Sequence, residues 1–494
     1  MKKYLLEITV FISGAVVMVF ELVGSRLVAP YLGTSIYVWT ALIGVILASL
    51  SLGYFIGGKL ADRSASYANL GWIIFLAGIG VVIPAFIKTM VMESLLSFGS
   101  QVALAALFSA IILFSIPSFL LGIVSPYAVK LKIKNLNSSG QTVGNLYALS
   151  TAGSIVGTFL AGFLIIPLLG VTKIIFLLSA ILVLLSLFLL ADKFFYRLFI
   201  LFFLVSSIFA VSWLEQRQYV QTGKISFSTP YNEVLIFKGK DQSTDRPTLN
   251  LSTDRFGRQS TMFLDGNDLS SEYSRFYRLM EHFNPGFKET LMIGGAAYIY
   301  PQYYLRQYPE AKMDVVEIDP KLTELARKYF SLQDDPRLNI IHEDGRVFLN
   351  QNKKKYDVVL MDAFNSISIP PQLASKEAVE AVYNSLDDEG IVLVNIISAV
   401  SGRRSLFLQA EYTAYKAVFP QVMVFVVNEP GKTEIAQNLM LVALKSDQKP
   451  KLSNTNSELN LLLQRFYPGE IKSIERMITD DYAPVDHYMS QVLL

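Results

Sequence analysis

The 494 residues include no cysteine and only three histidines, His282, His342 and His487. The first absence excludes disulfides, thiolate zinc sites and cysteine nucleophiles, and the second leaves too few ligands for a multi-histidine metal site. No metal is expected. Charge is also scarce. Charged residues make up 17% and hydrophobic ones 52%, whereas a soluble domain carries about 25% charge. The scarcity is uneven. Residues 1–214 hold 12 Lys+Arg and 5 Asp+Glu, a net of +7; residues 215–494 hold 31 and 36, a net of −5. The second part has the charge density of an ordinary soluble domain. A wholly soluble protein and a pure membrane bundle are therefore both excluded. Too little of the chain is polar and unpatterned for disorder. The acidic balance of the second part removes the electrostatic footprint of nucleic-acid binding.

The first part reads as seven apolar spans, about 5–25, 36–57, 70–90, 102–124, 143–168, 171–190 and 194–213, each near the ~20 residues that cross a bilayer. The first span is not a cleavable signal peptide, because it has no small-residue cleavage site and runs on into Glu21 and Arg26. Gly153, Gly157 and Gly162 are spaced for close helix packing in lipid. Glu21 and Arg26 read either as part of a substrate or ion path or as an interhelical ion pair near the membrane edge. Lys2, Lys3, Lys59, Arg63, Lys130, Lys132, Lys134, Lys193 and Arg197 fall on the N-terminal side, against Arg26, Lys88 and Lys173 on the other. That bias predicts a cytoplasmic N-terminus. An odd number of spans then puts the soluble part outside the cytoplasm.

The expected organisation is a transmembrane helical domain over 1–214, a small β-subdomain over 219–288 and an α/β domain over 289–494. The runs KISFS, YNEVLIF, TLNLST and STMFLDG read as the strands of the subdomain. From 290 on, the runs 290–295, 313–319, 338–344, 356–362 and 390–396 alternate with helical stretches, and 438–445 closes the series after a hairpin turn at 428–433. Buried strands alternating with helices imply a doubly wound parallel sheet, here the class I methyltransferase-like variant of the Rossmann architecture. Ligands of such sheets lie at the carboxyl ends of the strands. Those ends carry Gly294-Gly295-Ala296-Ala297-Tyr298, then Glu317 and Asp319, then Asp344-Gly345, then Asp362. Acids at three consecutive strand ends suit a nucleoside pocket, and Asp after a strand also suits a helix N-cap. Pro320 after Asp319 fits a helix start.

The runs TPYNEV (229–234), LDG (264–266), Tyr273 to MEHF (280–283), VEIDP, ARKYF, DPRLNI, EDGRVFL and YDVVLMDAF resemble the spermidine synthase (polyamine aminopropyltransferase) family over about 224–400. The front half, through GTSIYVWTALIG (33–44) and GNLYALSTAGSIVGTFLAG (144–162), resembles the membrane part of bacterial fused spermidine synthases. The run GGKLADR (57–63) is similar to a loop of major-facilitator transporters, and a short basic loop gives the same letters.

The resemblance implies transfer of an aminopropyl group from decarboxylated S-adenosylmethionine, a co-substrate rather than a bound cofactor, to an amine such as putrescine. It implies that Glu317 binds ribose, Asp344 binds adenine, and Gly294 and Gly295 pass under the methionine-derived chain, with Asp319 and Gly345 beside them. It places Asp362 and Asn365 at the catalytic pair. Two departures stand out. The family's Gly-Gly-Gly-Asp-Gly loop lacks its Asp here, and Asn365 replaces the second acid of the pair. Asp265, Glu272 or the acidic 479–488 segment with Asp481 are candidate substitute bases. Tyr273 and His282 are candidate substrate-side residues, and Tyr298 is a candidate cation–π face. Two other functions fit the departures: a methyltransferase or lyase on the same scaffold acting on an extracytoplasmic or membrane-adjacent substrate, and a transporter or sensor with an inactive ligand-binding domain. The expected partners are the lipid bilayer and a small-molecule amine, with a homodimer as an open assembly.

Overall fold

A computed structural model describes residues 4–33, 35–97, 102–133, 138–190, 206, 209–210, 213, 223–253, 257–364 and 369–492. The chain divides into two compact units, Met1–Val234 and Leu235–Leu494. Residues 215–218, between the first two expected domains, lie outside the described residues, as do most of the seventh expected span and Asn365.

The first unit holds six described helices long and apolar enough to cross a membrane. They are α1 (Leu5–Leu32), α2 (Ile36–Ser64), α3 (Tyr67–Ser97), α4 (Val102–Lys132), α5 (Ser139–Leu160) and α6 (Val171–Leu189). They correspond to the first six spans read from sequence, and most run several residues beyond the apolar stretch. The helices α1 and α5 touch at backbone distance. A Cβ on Gly153 would collide with the carbonyl oxygen of Phe11, and one on Gly157 with that of Ala15. This is small-residue packing of the kind lipid-embedded helices use. Gly162 does not take part, because a Cβ there would meet nothing within 4 Å. The GGKLADR run is not a loop: it forms the end of α2, where Lys130 pairs with Asp62 at 2.7 Å. Glu7, a charge inside the first span, is matched by Lys132 at 2.7 Å. Arg26 donates to the carbonyl of Pro230.

All four strands read in the subdomain are present: β1 (Lys224–Ser228), β2 (Glu233–Lys240), β3 (Pro247–Ser252) and β4 (Ser260–Phe263), in the sheet order β1-β2-β3-β4. The large sheet contains β5 (Glu289–Ile293), β6 (Lys312–Val316), β7 (Leu338–Ile341), β8 (Tyr356–Met361), β9 (Leu386–Ser398), β10 (Gln421–Val426) and β11 (Gln437–Leu444). Its order is β10-β11-β9-β8-β5-β6-β7. Strands β5 to β9 pair in parallel, and β11 runs antiparallel to both β9 and β10. Between them come α7 (Ile299–Gln307), α8 (Pro320–Tyr329), α9 (Gly345–Gln351), α10 (Lys376–Ser385) and α11 (Leu406–Val418). A last helix, α12 (Val485–Val492), packs on α11.

The central strands are apolar along most of their buried lengths because helices cover both faces. Ile391 to Leu393 of β9 and Val358 to Leu360 of β8 are fully buried, and each such side chain stabilises the fold by roughly 1.5–3 kcal/mol. Strand β10 is absent from the sequence reading. Its run QVMVFV is apolar but directly precedes the turn at 428–433, so only the outgoing strand of that hairpin was recognisable. From β5 the chain winds outward first through β6 and β7, then the other way through β8 and β9. That reversal opens a crevice at the carboxyl ends of β5 and β8, where ligands of doubly wound sheets bind.

Candidate active site

Strand β5 ends at Ile293, and the chain turns at once. Gly294 adopts φ 96°, a conformation that favours glycine. A Cβ there would also collide with the carbonyl of Asp362. Gly294 N–H donates to Val316 O at 2.9 Å and Asp362 N–H to Ile293 O at 2.9 Å. These two bonds lock the ends of β5, β6 and β8 together. Two more residues of the turn, Ala296 and Tyr298, hold positive φ of 45° and 56°. Such strain costs of order 1–3 kcal/mol per residue and persists only where the surroundings enforce it.

Glu317, at the end of β6, does the enforcing. Its Oε2 accepts from the N–H groups of Gly295 and Ala296, each at 2.9 Å, and its Oε1 accepts from Asp319 N–H at 3.0 Å. The side chain is only 6% exposed. Burial raises its pKa, and the three backbone donors oppose that rise. Asp319 caps α8 through Lys321 N–H at 3.0 Å. Asp344 caps α9 through Arg346 and Val347 N–H at 2.8 and 3.2 Å. Both therefore have the helix-capping role that their positions also suggested, and Asp344 stays half-buried at its strand end. Gly345 must be small, because a Cβ would meet Ile293 Cγ2 at 2.6 Å.

Asp362, just past β8, is closely surrounded but not sealed from solvent. Asn395 Nδ2 donates to its Oδ1 at 3.1 Å, and the Tyr273 hydroxyl donates to its Oδ2 at 3.3 Å. Tyr277 places a second phenol beside the same carboxylate, within electrostatic reach but without a formed hydrogen bond. Burial pushes the Asp362 carboxyl up to about 6, against the pull of Asn395 and the two phenols. Tyr300 seals the floor, its ring edge-on to Tyr277 at 4.8 Å.

The structure thus brings Gly294, Gly295, Glu317, Asp319, Asp362 and Tyr273 together at the carboxyl ends of β5, β6 and β8, and several other candidates take different roles. Asp265 pairs with Arg246 at 2.8 Å on the surface, so it is not an open base. His282 bonds Lys451 O at 2.6 Å and the Asn454 side chain at 2.8 Å; it ties down the 451–454 segment rather than a ligand. Tyr298 offers no open ring face. It is 0% exposed, its ring underlies Gly295, and its hydroxyl bonds Thr323 at 2.7 Å. Asp481 and Glu272 are exposed. Asp480, beside Asp481, is held by Arg346 at 2.8 Å and Ser375 at 2.6 Å. Sequence reasoning missed Tyr277 and Asn395. Tyr277 sits four residues after Tyr273, a helical spacing that puts two phenols on one side. Asn395 is a lone polar residue in the apolar run IVLVNII, a signal that a buried partner was needed.

A mixed sheet whose parallel part reverses at β5, a glycine turn clasped by the β6 carboxylate, and a half-buried acid after β8 belong to a class I methyltransferase-like fold. Residues 276–454 match the spermine/spermidine synthase domain. The polyamine aminopropyltransferase of Vibrio vulnificus is 28% identical over 220 residues, covering 41% of this chain and 71% of that protein. Polyamine aminopropyltransferase 2 of Aquifex aeolicus is 23% identical over 440 residues, 84% of this chain and 83% of its own. A probable spermidine synthase from Corynebacterium glutamicum, solved by crystallography, covers 50% of this chain with 88% of its own, at 21% identity and a TM-score of 0.41. Residues 276–454 thus match a spermine/spermidine synthase domain, and the domain and the relatives together support a transferase enzyme.

Proposed function

We propose that the α/β half transfers an aminopropyl group from decarboxylated S-adenosylmethionine to an amine, within a chain anchored in the bilayer by its N-terminal helices. The observation that carries this reading is the placement of Asp362, a half-buried carboxyl bonded by Asn395 and Tyr273 and pushed by burial up to about 6, at the switch point of the sheet, one strand from the glycine turn that Glu317 holds. In the reaction the lone pair of a neutral amine attacks the carbon next to the sulfonium. The C–N bond forms, the C–S bond breaks, and its electron pair leaves on sulfur as the neutral thioether methylthioadenosine. At neutral pH the amine arrives as an ammonium and must first give up a proton to free that lone pair, for which Asp362 is the positioned acceptor; such help is worth roughly 10²–10⁴-fold. Glu317 fixes the turn under the donor. Each carboxylate oxygen has two acceptor sites, so Oε1, with one N–H bound, has capacity for a ribose hydroxyl. Purified protein with decarboxylated S-adenosylmethionine and putrescine should release methylthioadenosine. Release of S-adenosylhomocysteine from S-adenosylmethionine instead would favour a methyltransferase.

By the basic-residue bias and seven spans, the site lies outside the cytoplasm. A phosphatase reporter joined after residue 214 should then be active. An inactive reporter would mean an even span count and would put the site with the cytosolic donor pool.

A further inference from the structure

Asp362 does not stand alone on its inner side. Asn438, on β11, donates from Nδ2 to Asn395 Oδ1 at 3.0 Å, and Asn395, on β9, donates from Nδ2 to Asp362 Oδ1 at 3.1 Å. The chain has a direction. The main chain of Asn438 is held by its N–H, which donates to Asn428 Oδ1 at 3.2 Å in the β10–β11 turn. The ionised Asp362 can only accept, so it takes the NH₂ end of Asn395; the Asn395 oxygen then faces Asn438, which meets it with its own NH₂. Asn395 is buried within an otherwise apolar strand, a setting in which an amide is costly unless fully bonded. The other groups facing Asp362 are Tyr273 and Tyr277 from the 272–283 helical segment, with Tyr300 of α7 packed behind Tyr277.

We propose that Asn395 and Asn438 are positioning residues whose directed amide chain makes Oδ1 of Asp362 a fixed hydrogen-bond acceptor and leaves Oδ2 as the atom that takes the amine proton. A proton on Oδ1 would face the Asn395 N–H donor, so protonation is confined to Oδ2, on the Tyr273 side. The chain also favours the ionised carboxylate, since a donor aimed at an acceptor stabilises the charged form. The catalytic consequence rests on the aminopropyl-transfer reading; the control of Asp362 does not.

The test uses the full chain in lipid nanodiscs. Asn395→Asp keeps the shape and replaces the donor with an acceptor, placing a like charge beside Asp362. The infrared carbonyl band of protonated Asp362, assigned by its loss in Asp362→Asn, reports the titration midpoint without any turnover. Asn395→Asp should raise that midpoint by about one pH unit or more. The same variant should lower kcat at pH 7 by roughly tenfold or more, with KM for decarboxylated S-adenosylmethionine unchanged. Asn438→Ala, which frees Asn395 to turn, should move both quantities the same way by a smaller amount, and it serves if Asn395→Asp does not fold. A midpoint that stays put in the variants overturns the proposal. A wild-type protein that transfers no aminopropyl group, yet shows the infrared shift, would refute the transfer reading and leave the amide chain standing.

Discussion

Two carboxylates lie at the carboxyl ends of the same sheet, and their surroundings differ. Glu317 is wrapped by three backbone N–H donors. Asp362 has one amide and one phenol, the latter at a long 3.3 Å. Burial raises the pKa of both. In Glu317 the backbone answers with donors that no side-chain motion can withdraw, so the acid serves as architecture for the glycine turn. In Asp362 the donors are fewer and belong to side chains, and part of the group remains reachable. A carboxyl left near 6 can exchange a proton at neutral pH. In the proposed reading, the Glu317 end would be the rigid one that holds the nucleoside and the Asp362 end the one poised for the amine.

The sharpest way to break this contrast is at Asp362. Asp362→Asn should cut turnover by roughly 10²–10⁴-fold and leave methylthioadenosine affinity by calorimetry within about threefold. The same substitution should stabilise the protein. An acid whose folded pKa exceeds its unfolded one loses stability as pH rises from about 4 to about 6, and the loss stays constant above that. For Asp362 the shift from 3.8 to about 6 corresponds to on the order of 3 kcal/mol, a cost that a neutral amide avoids. A melting midpoint at pH 8 lower than wild type would show that Asp362 is structural after all.

Glu317→Ala should do the reverse. Three buried N–H groups lose their acceptor, each at about 1–3 kcal/mol before relaxation. The turn with its positive-φ residues should loosen, and methylthioadenosine affinity should fall by roughly a hundredfold, together with the melting midpoint. Unchanged affinity in this variant would remove Glu317 from the nucleoside pocket.

The wild-type pH profile gives a smaller effect. With Asp362 as acceptor, kcat/KM should rise with pH through about 6 and then flatten until the substrate amine titrates. Asn395→Leu removes the largest influence holding that value down and should shift the rising limb to higher pH. A profile that is flat between pH 5 and 7 would exclude Asp362 as the base.

Much of this site was readable before any coordinates. Period-2 and continuous apolar runs ending in Gly or an acid located β5, β6, β7 and β8, and the switch-point rule then placed Gly294, Glu317 and Asp362 together. What could not be read was which atom each acid would give to the backbone. Asp344 and Asp319 are followed by helices, and the same letters serve a cap or a ligand. Tyr298 follows the glycine turn, where an aromatic suits either a cation–π face or plain packing, and its positive φ with its ring under Gly295 gives the packing. The family resemblance makes His282 a substrate-side candidate, yet its partners come from residues 451–454, a contact across about 170 positions that no local pattern encodes. Asn395 and Asn438 lie on different strands, and their pairing depends on the β9–β11 arrangement, which required the unrecognised β10 hairpin.

The smallest effect separates the two roles of Asp344. Its Oδ1 caps α9, so Asp344→Ala should cost about 1 kcal/mol, roughly 2–4 °C in a unit of this size, whether or not a ligand ever meets the residue. Asp344→Asn retains the capping oxygen and should melt like wild type. The two variants therefore divide the contributions. If Asp344 also accepts from an adenine amino group, Asn can still present a carbonyl there only by turning its oxygen away from the cap. Methylthioadenosine affinity should then fall severalfold in Asp344→Asn while stability holds. If affinity is unchanged in Asp344→Asn and falls in Asp344→Ala only in step with stability, the residue is a cap and nothing more. The nucleoside end of the cleft would then depend on Glu317 and the glycine turn.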